Sequence, residues 1–241
     1  MKSTILEKVK KTEVRIILFF IGLSTIPKLL KLKRNVFYTV NKKIKFEDQL
    51  ANPNKEKVTG YYQKINDKSA ARRFGTQNLE EYSFWAWRSC APAVISMILK
   101  TENKYKGNIY KLVRWMLKRD GYLFETRDGR KDIGWKHSAL KAALQHYGLT
   151  AQIMPFFHIN EVIYALSKGW YVIASIKSRL NPKSGHIILI SGIFWSGKNS
   201  KLIVYDPYNL DGRGGRKEES LEEFKKEFLN KGIIVKKNVK R

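Results

Sequence analysis

Apolar positions are unevenly spread along the chain. Residues 16–26, "IILFFIGLSTI", form an uncharged run of 11 behind a basic lead, "MKSTILEKVKKTEVR". Residues 31–80 are polar and basic, with "ANPNKEK" reading as a loop and "KINDKSAARRFGTQNLEE" as irregular chain. From Phe84 the texture changes. Ser89-Cys90-Ala91-Pro92 predicts a helix start, because a first turn tolerates proline, whose missing N–H would have no partner there. Val94, Ile95, Met97, Ile98 and Leu99 then cover most faces of that helix, as expected of a buried, central element. A second helix over about residues 108–119 gathers Ile109, Leu112, Val113 and Met116 on one side. In a third, "WKHSALKAALQHYG", Leu140, Ala143, Leu144 and Tyr147 are in register and Gly148 is the stop. A fourth covers "INEVIYALSKG", with Asn160 as the expected N-cap and Gly169 at its end.

The period then shortens to that of strands. "WYVIASI", "HIILISGIFW" and "KLIVYD" are rich in β-branched and aromatic residues, and "SGKNS" between the last two is a hairpin signal. "SLEEFKKEFLNKG" predicts a final helix, with a capping box of Ser220 and Glu223 and a stripe of Leu221, Phe224, Phe228 and Leu229. Helices followed by an antiparallel sheet define an α+β fold. The expected organisation is a basic N-terminal extension over residues 1–59, a folded domain over 60–235 and a basic tail at 236–241.

The run at 16–26 is too short for a standard spanning helix, which needs about 20 apolar residues. Its length suits the centre of a signal peptide, yet no A-x-A cleavage site follows and basic residues flank both sides. Export, a short anchor, an interfacial helix giving membrane-surface association, and a helix docked on the domain all stay open, and so does the compartment.

Composition narrows the function classes. Hydrophobic residues are 43% of 241, enough for a sizeable core. The net charge of +26 draws acidic partners, but the lysines are spread along the chain and no nucleic-acid motif accompanies them, so no specific nucleic acid is expected. A single cysteine excludes an intrachain disulfide framework and a cysteine-rich zinc site. His146 and His158 lack metal-ligand spacing, and "DGRGGR" follows no phosphate-binding strand–helix pattern, so it reads as a loop and no cofactor or metal is expected.

The remaining chemistry lies at element boundaries. Cys90 opens the buried helix, where unpaired N–H groups and the positive dipole end favour an anion. His186 begins one strand and Asp206 ends the next. Antiparallel pairing of those strands brings imidazole and carboxylate together. Imidazole can take the thiol proton, the carboxylate can fix its tautomer, and the thiolate can attack a carbonyl. Each residue alone also has a plain reading: core cysteine, strand-leading histidine, turn aspartate.

These stretches also resemble a family. "WAWRSCAPAVISMIL", "IGWKHSALKAAL", "LSKGWYVIASI" and "SGHIILISGIFW…KLIVYDPYN" are similar to the C39-like branch of papain-like cysteine peptidases, over roughly residues 60–232. The resemblance implies a papain-like fold, a Cys-bearing central helix on an antiparallel sheet. It also implies a catalytic set of Cys90, His186 and Asp206 acting on a peptide or protein substrate. Two positions depart from the pattern. Ala91 stands where the family usually has glycine, and Phe84 where a glutamine six residues before the cysteine helps hold the oxyanion. Gln63 and Gln77 are upstream alternatives at other spacings. A weakened or inactive papain-fold module that binds peptides is the competing reading.

Overall fold

Local capping starts most of the helices. The computed structural model describes residues 2–58, 62–125, 131–178, 185–209 and 215–236. Its helices are α1 Lys2–Leu30, α2 Lys68–Phe74, α3 Leu79–Ala86, α4 Cys90–Thr101, α5 Ile109–Leu117, α6 His137–His146, α7 Ile159–Ser167 and α8 Leu221–Glu227. Two of them fall in the stretch expected to be irregular. Asp67 accepts from the N–H groups of Ser69 and Ala70 to start α2, and Asn78 from those of Glu80 and Glu81 to start α3. Short polar caps with few following apolar residues (Ala70, Ala71 and Phe74 are the buried ones in α2) leave little periodicity to read.

The strands are β1 Val36–Thr39, β2 Tyr122–Glu125, β3 Lys131–Trp135, β4 Thr150–Met154, β5 Tyr171–Lys177, β6 Gly185–Trp195, β7 Lys201–Asp206, β8 Gly215–Ser220 and β9 Phe228–Lys236. The main sheet runs β4-β9-β5-β6-β7-β8, with every pair antiparallel. β1 joins β6 at residues 192–195, on the edge that β5 leaves free. β2 and β3 form a separate hairpin.

Alternation along the strands gives the sheet two apolar faces. Tyr171, Ile173, Leu189, Ile233 and Val235 pack with α4, α5 and α6. Val172, Ala174, Ile188, Ile190 and Val204 pack with α7 and α8. A smaller cluster of Phe74, Tyr82, Trp85 and Tyr122 joins α2, α3 and the hairpin. The polar region before residue 59 contributes to this body: β1 extends the sheet, and Val40, Ile44 and Leu50 are buried.

Three local expectations are corrected. His158, not Asn160, caps α7: its Nδ1 accepts from Asn160 N–H, and Glu161 accepts from His158 N–H. Histidine mimics an Asx cap here because its ring nitrogen reaches the same donor. The last helix stops at Glu227, and Phe228 and Leu229 begin β9 instead of completing a stripe, because β9 has both neighbours, β4 and β5, to pair with. Of "DGRGGR", Gly215 and Arg216 are strand rather than loop; the preceding residues lie outside the described ones, as does the tail beyond Lys236. No described helix is long and apolar enough to cross a membrane.

Candidate active site

Helix α4 carries Cys90 at its first position, and the residue before it leaves that end uncapped. Ser89 turns its hydroxyl back to donate to the Trp85 carbonyl at 2.7 Å and makes no cap to α4. Pro92 has no N–H to satisfy. The first amides of α4 therefore have no side-chain cap, and the dipole end favours negative charge on the sulfur beside them. Ala91, Val94, Ile95, Ile98 and Leu99 are fully buried behind it, which holds this end of the helix in place.

The sheet delivers the other two groups. His186 is the second residue of β6 and Asp206 the last of β7. The register pairs Leu189 with Tyr205, so Asp206 lies one step further toward His186. His186 Nε2 stands 2.7 Å from Asp206 Oδ1, both side chains about 15% exposed. A carboxylate only accepts, so Nε2 carries a proton in this pair. Cys90 lines the same cleft and acts electrostatically on the ring. Asp206 Oδ1 also accepts from Tyr208 N–H at 3.0 Å. The three side chains thus share one row in the wall of a cleft, with the ring bonded to the carboxylate.

Charge within the row is strongly coupled. Burial works against a charged His186, but the Asp206 carboxylate and the Cys90 sulfur outweigh it and push the imidazole up to about 10. Burial would raise Asp206, yet His186, the Tyr208 amide and Lys217 together hold it below the ordinary carboxylate value. The ring is cationic and the carboxylate anionic across the neutral range.

The row lies in the wall of a cleft of about 670 Å³. The lining also includes Trp87, Trp135 and the Arg88–Asp132 pair, in which Arg88 Nε and Nη2 contact the two Asp132 oxygens at 3.0 and 2.7 Å. Tyr122 donates to the same carboxylate. Trp135 Nε1 donates to the Arg88 carbonyl at 2.6 Å, tying the hairpin to the segment leading into Cys90. Phe84 points outward instead, 42% exposed beneath the Arg88 guanidinium.

Sequence reasoning overlooked two cleft residues. Gln63 and Gln77 are exposed and outside the cleft, whereas Gln49, 3% exposed, lines it. Its backbone N–H donates to the Pro207 carbonyl at 2.8 Å, next to Asp206. Its Nε2 donates to the carbonyls of Ala86 and Trp87 at 3.3 and 3.4 Å, in the turn before Cys90. Nothing in the polar stretch around it marks this position. His137 starts α6 and lies 2.9 Å through Nε2 from Ser175 Oγ inside the cleft. Burial and then Lys231 lower its pKa. Its place at a helix start, at the end of "GWKH", was the one available signal.

Residues 74–233 match the "Peptidase_C39 like family". The chain belongs to the peptidase C39-like family. Membership gives a cysteine-peptidase-type protein with the α+β architecture described above. Three solved structures are similar at low identity. The double glycine motif protease from an AMS/PCAT transporter, solved in complex with the leader peptide, is 19% identical with a TM-score of 0.41, over 61% of this chain and 83% of that one. The peptidase domain of Streptococcus ComA, a bi-functional ABC transporter, is 19% identical with a TM-score of 0.40, over 61% and 90%. A C39-like peptidase from Bacillus anthracis is 15% identical with a TM-score of 0.45, over 64% and 90%. Among curated proteins none matches the chain. Gln49 precedes the family match, in a segment that the family pattern does not reach.

Proposed function

We propose that the protein is a cysteine peptidase that cleaves a peptide or protein substrate with Cys90 as nucleophile, His186 as proton carrier and Asp206 as the group that orients the ring. The observation that carries this reading is the His186 imidazole, hydrogen-bonded to Asp206 and sharing the wall of one open cleft with Cys90. Family membership supports the same reading.

The steps follow from the groups in place. With the ring protonated, the sulfur acts as thiolate and attacks the scissile carbonyl carbon. Negative charge develops on the carbonyl oxygen, which the Cys90 amide at the mouth of α4 stabilises. Gln49 is the second donor in this reading. Its bonds to Ala86 and Trp87 are long and made to neutral carbonyls, and a developing oxyanion is the stronger acceptor for an Nε2 hydrogen. Collapse of the tetrahedral adduct breaks the C–N bond, and His186 gives its proton to the leaving amine. The now neutral ring then takes a proton from water, whose oxygen attacks the thioester and releases the acid and the thiolate.

An electrophilic cysteine probe tests the assignment. The wild-type chain labels at Cys90, Cys90→Ser does not, and the labelled chain no longer cuts a casein-derived peptide mixture that the free chain cuts. A chain that fails to label yet retains peptides from the same mixture is a binding module, and the peptidase reading then falls.

A further inference from the structure

Over half of the large hydrophobic side chains exposed on the described residues sit on one helix. Val14, Ile16, Ile17, Phe19, Phe20, Leu23, Ile26 and Leu30 of α1 are each between 37 and 80% exposed. The helix is not loose. It docks on α7 through its other side: Gly22 lies against the His158 ring, its carbonyl accepts from Asn160 Nδ2 at 3.1 Å, Thr25 is buried, and Leu29 joins the core beneath the sheet. Lys28 sits over the Tyr164 ring of α7, 5.1 Å from its centroid.

At about 100° per residue, Gly22, Thr25 and Leu29 define the docked face. Ile26, Phe19, Leu30, Leu23, Ile16 and Phe20 then fall on an adjoining stripe roughly 120° wide, the width that a core-facing helix normally buries. Docking leaves this stripe uncovered.

Charge selects what can cover it. Residues 1–34 hold nine Lys or Arg against two Glu, and Arg15, Lys28, Lys31, Lys33 and Arg34 bracket the apolar run. A second copy would bring another chain of charge +26 against the same face. An anionic bilayer satisfies both features, taking the stripe among its acyl chains and the bracketing cations at its headgroups. The helix is too polar to cross, so it lies along the surface.

The geometry points to α1 as an interfacial helix that holds the folded domain on an anionic membrane surface, through the stripe from Ile16 to Leu30 and the cations at its ends. The inference is independent of the peptidase reading, since no α1 residue lines the cleft.

Sedimentation of the full chain with phosphatidylcholine vesicles, with and without about a third phosphatidylglycerol, tests it at near-physiological salt, where weak surface charge effects are screened. The chain is expected to partition at least roughly tenfold more strongly onto the anionic vesicles. Phe19→Asp combined with Leu23→Asp is expected to cut that binding by at least about tenfold. Thiol alkylation at Cys90 is expected to stay unchanged, reporting that the domain is folded. Equal binding by the double variant would overturn the proposal, since diffuse basic charge would then suffice. So would absence of binding to anionic vesicles. A dimer that forms without lipid and is lost in the double variant would overturn it as well, because a second copy would then cover the stripe.

Discussion

His186 and Asp206 meet at 2.7 Å because β6 and β7 run antiparallel, placing the start of one strand beside the end of the other. The pairing is a property of sheet register, not of a flexible loop, so the ring direction is set by the same ladder that builds the core. Asp206 is itself held by the Tyr208 amide.

Asp206→Asn keeps an acceptor for Tyr208 N–H but loses the charge that holds the Nε2–H tautomer. Under the proposed mechanism kcat/KM is expected to fall by roughly 10²–10⁴, with little change in thermal midpoint. Steady-state kinetics beside a melting curve separates the two, and an unchanged kcat/KM would remove Asp206 from the mechanism.

His186 and Asp206 respond to pH in opposite ways. The ring value is raised from 6.5 to about 10, so its contribution to stability is complete below pH 6.5 and is lost as pH rises through about 10. Asp206 is lowered from 3.8, so its share is present above that pH and is lost as pH falls through the depressed value. Iodoacetamide is therefore expected to alkylate Cys90 rapidly at pH 6, and His186→Ala to slow it by roughly 10–100-fold, because a free thiol near pKa 8.5 is almost wholly protonated there. Equal rates in the two chains would count against a thiolate–imidazolium pair.

Gln49→Ala removes the proposed second oxyanion donor while leaving the backbone bond to Pro207. The expected loss is about 10²–10³ in kcat with little change in KM. A rise in KM alone would instead make Gln49 a substrate-binding or packing residue.

The neighbouring Asp48 gives a stability signature of its own. It is 6% exposed, and burial raises its carboxyl from 3.8 to about 6, against the opposing bonds from the Leu50 and Asn52 amides. The native state thus holds a proton that the unfolded chain has released, and stability falls as pH rises between these values. Asp48→Asn is expected to be more stable than wild type at pH 7 by about 3 kcal/mol, with the gap closing near pH 3.5. Urea midpoints at the two pH values provide the check; a gap that does not vary with pH would contradict the burial argument.

The sequence was most legible where apolar periodicity is strong. The run from Val94 to Leu99 predicts α4, and the β-branched stretches predict β5, β6 and β7, whose antiparallel order brings His186 to Asp206. It was least legible where tertiary pairing makes the element. β8, "GRKEES", buries only Gly215 and Glu219, and β9 begins inside what reads as an amphipathic helix. Gln49 was missed for a related reason: a polar residue in a polar segment shows no period, and only the packing of that segment against the Pro207 turn brings it into the cleft.

The sulfur at the mouth of α4 has no rival elsewhere in the chain. Every equivalent of a thiol-directed reagent taken up by the intact protein therefore reports on a single address. A mass increment read on the whole molecule measures occupancy of the cleft directly, without peptide mapping and without a cysteine-free background to engineer first.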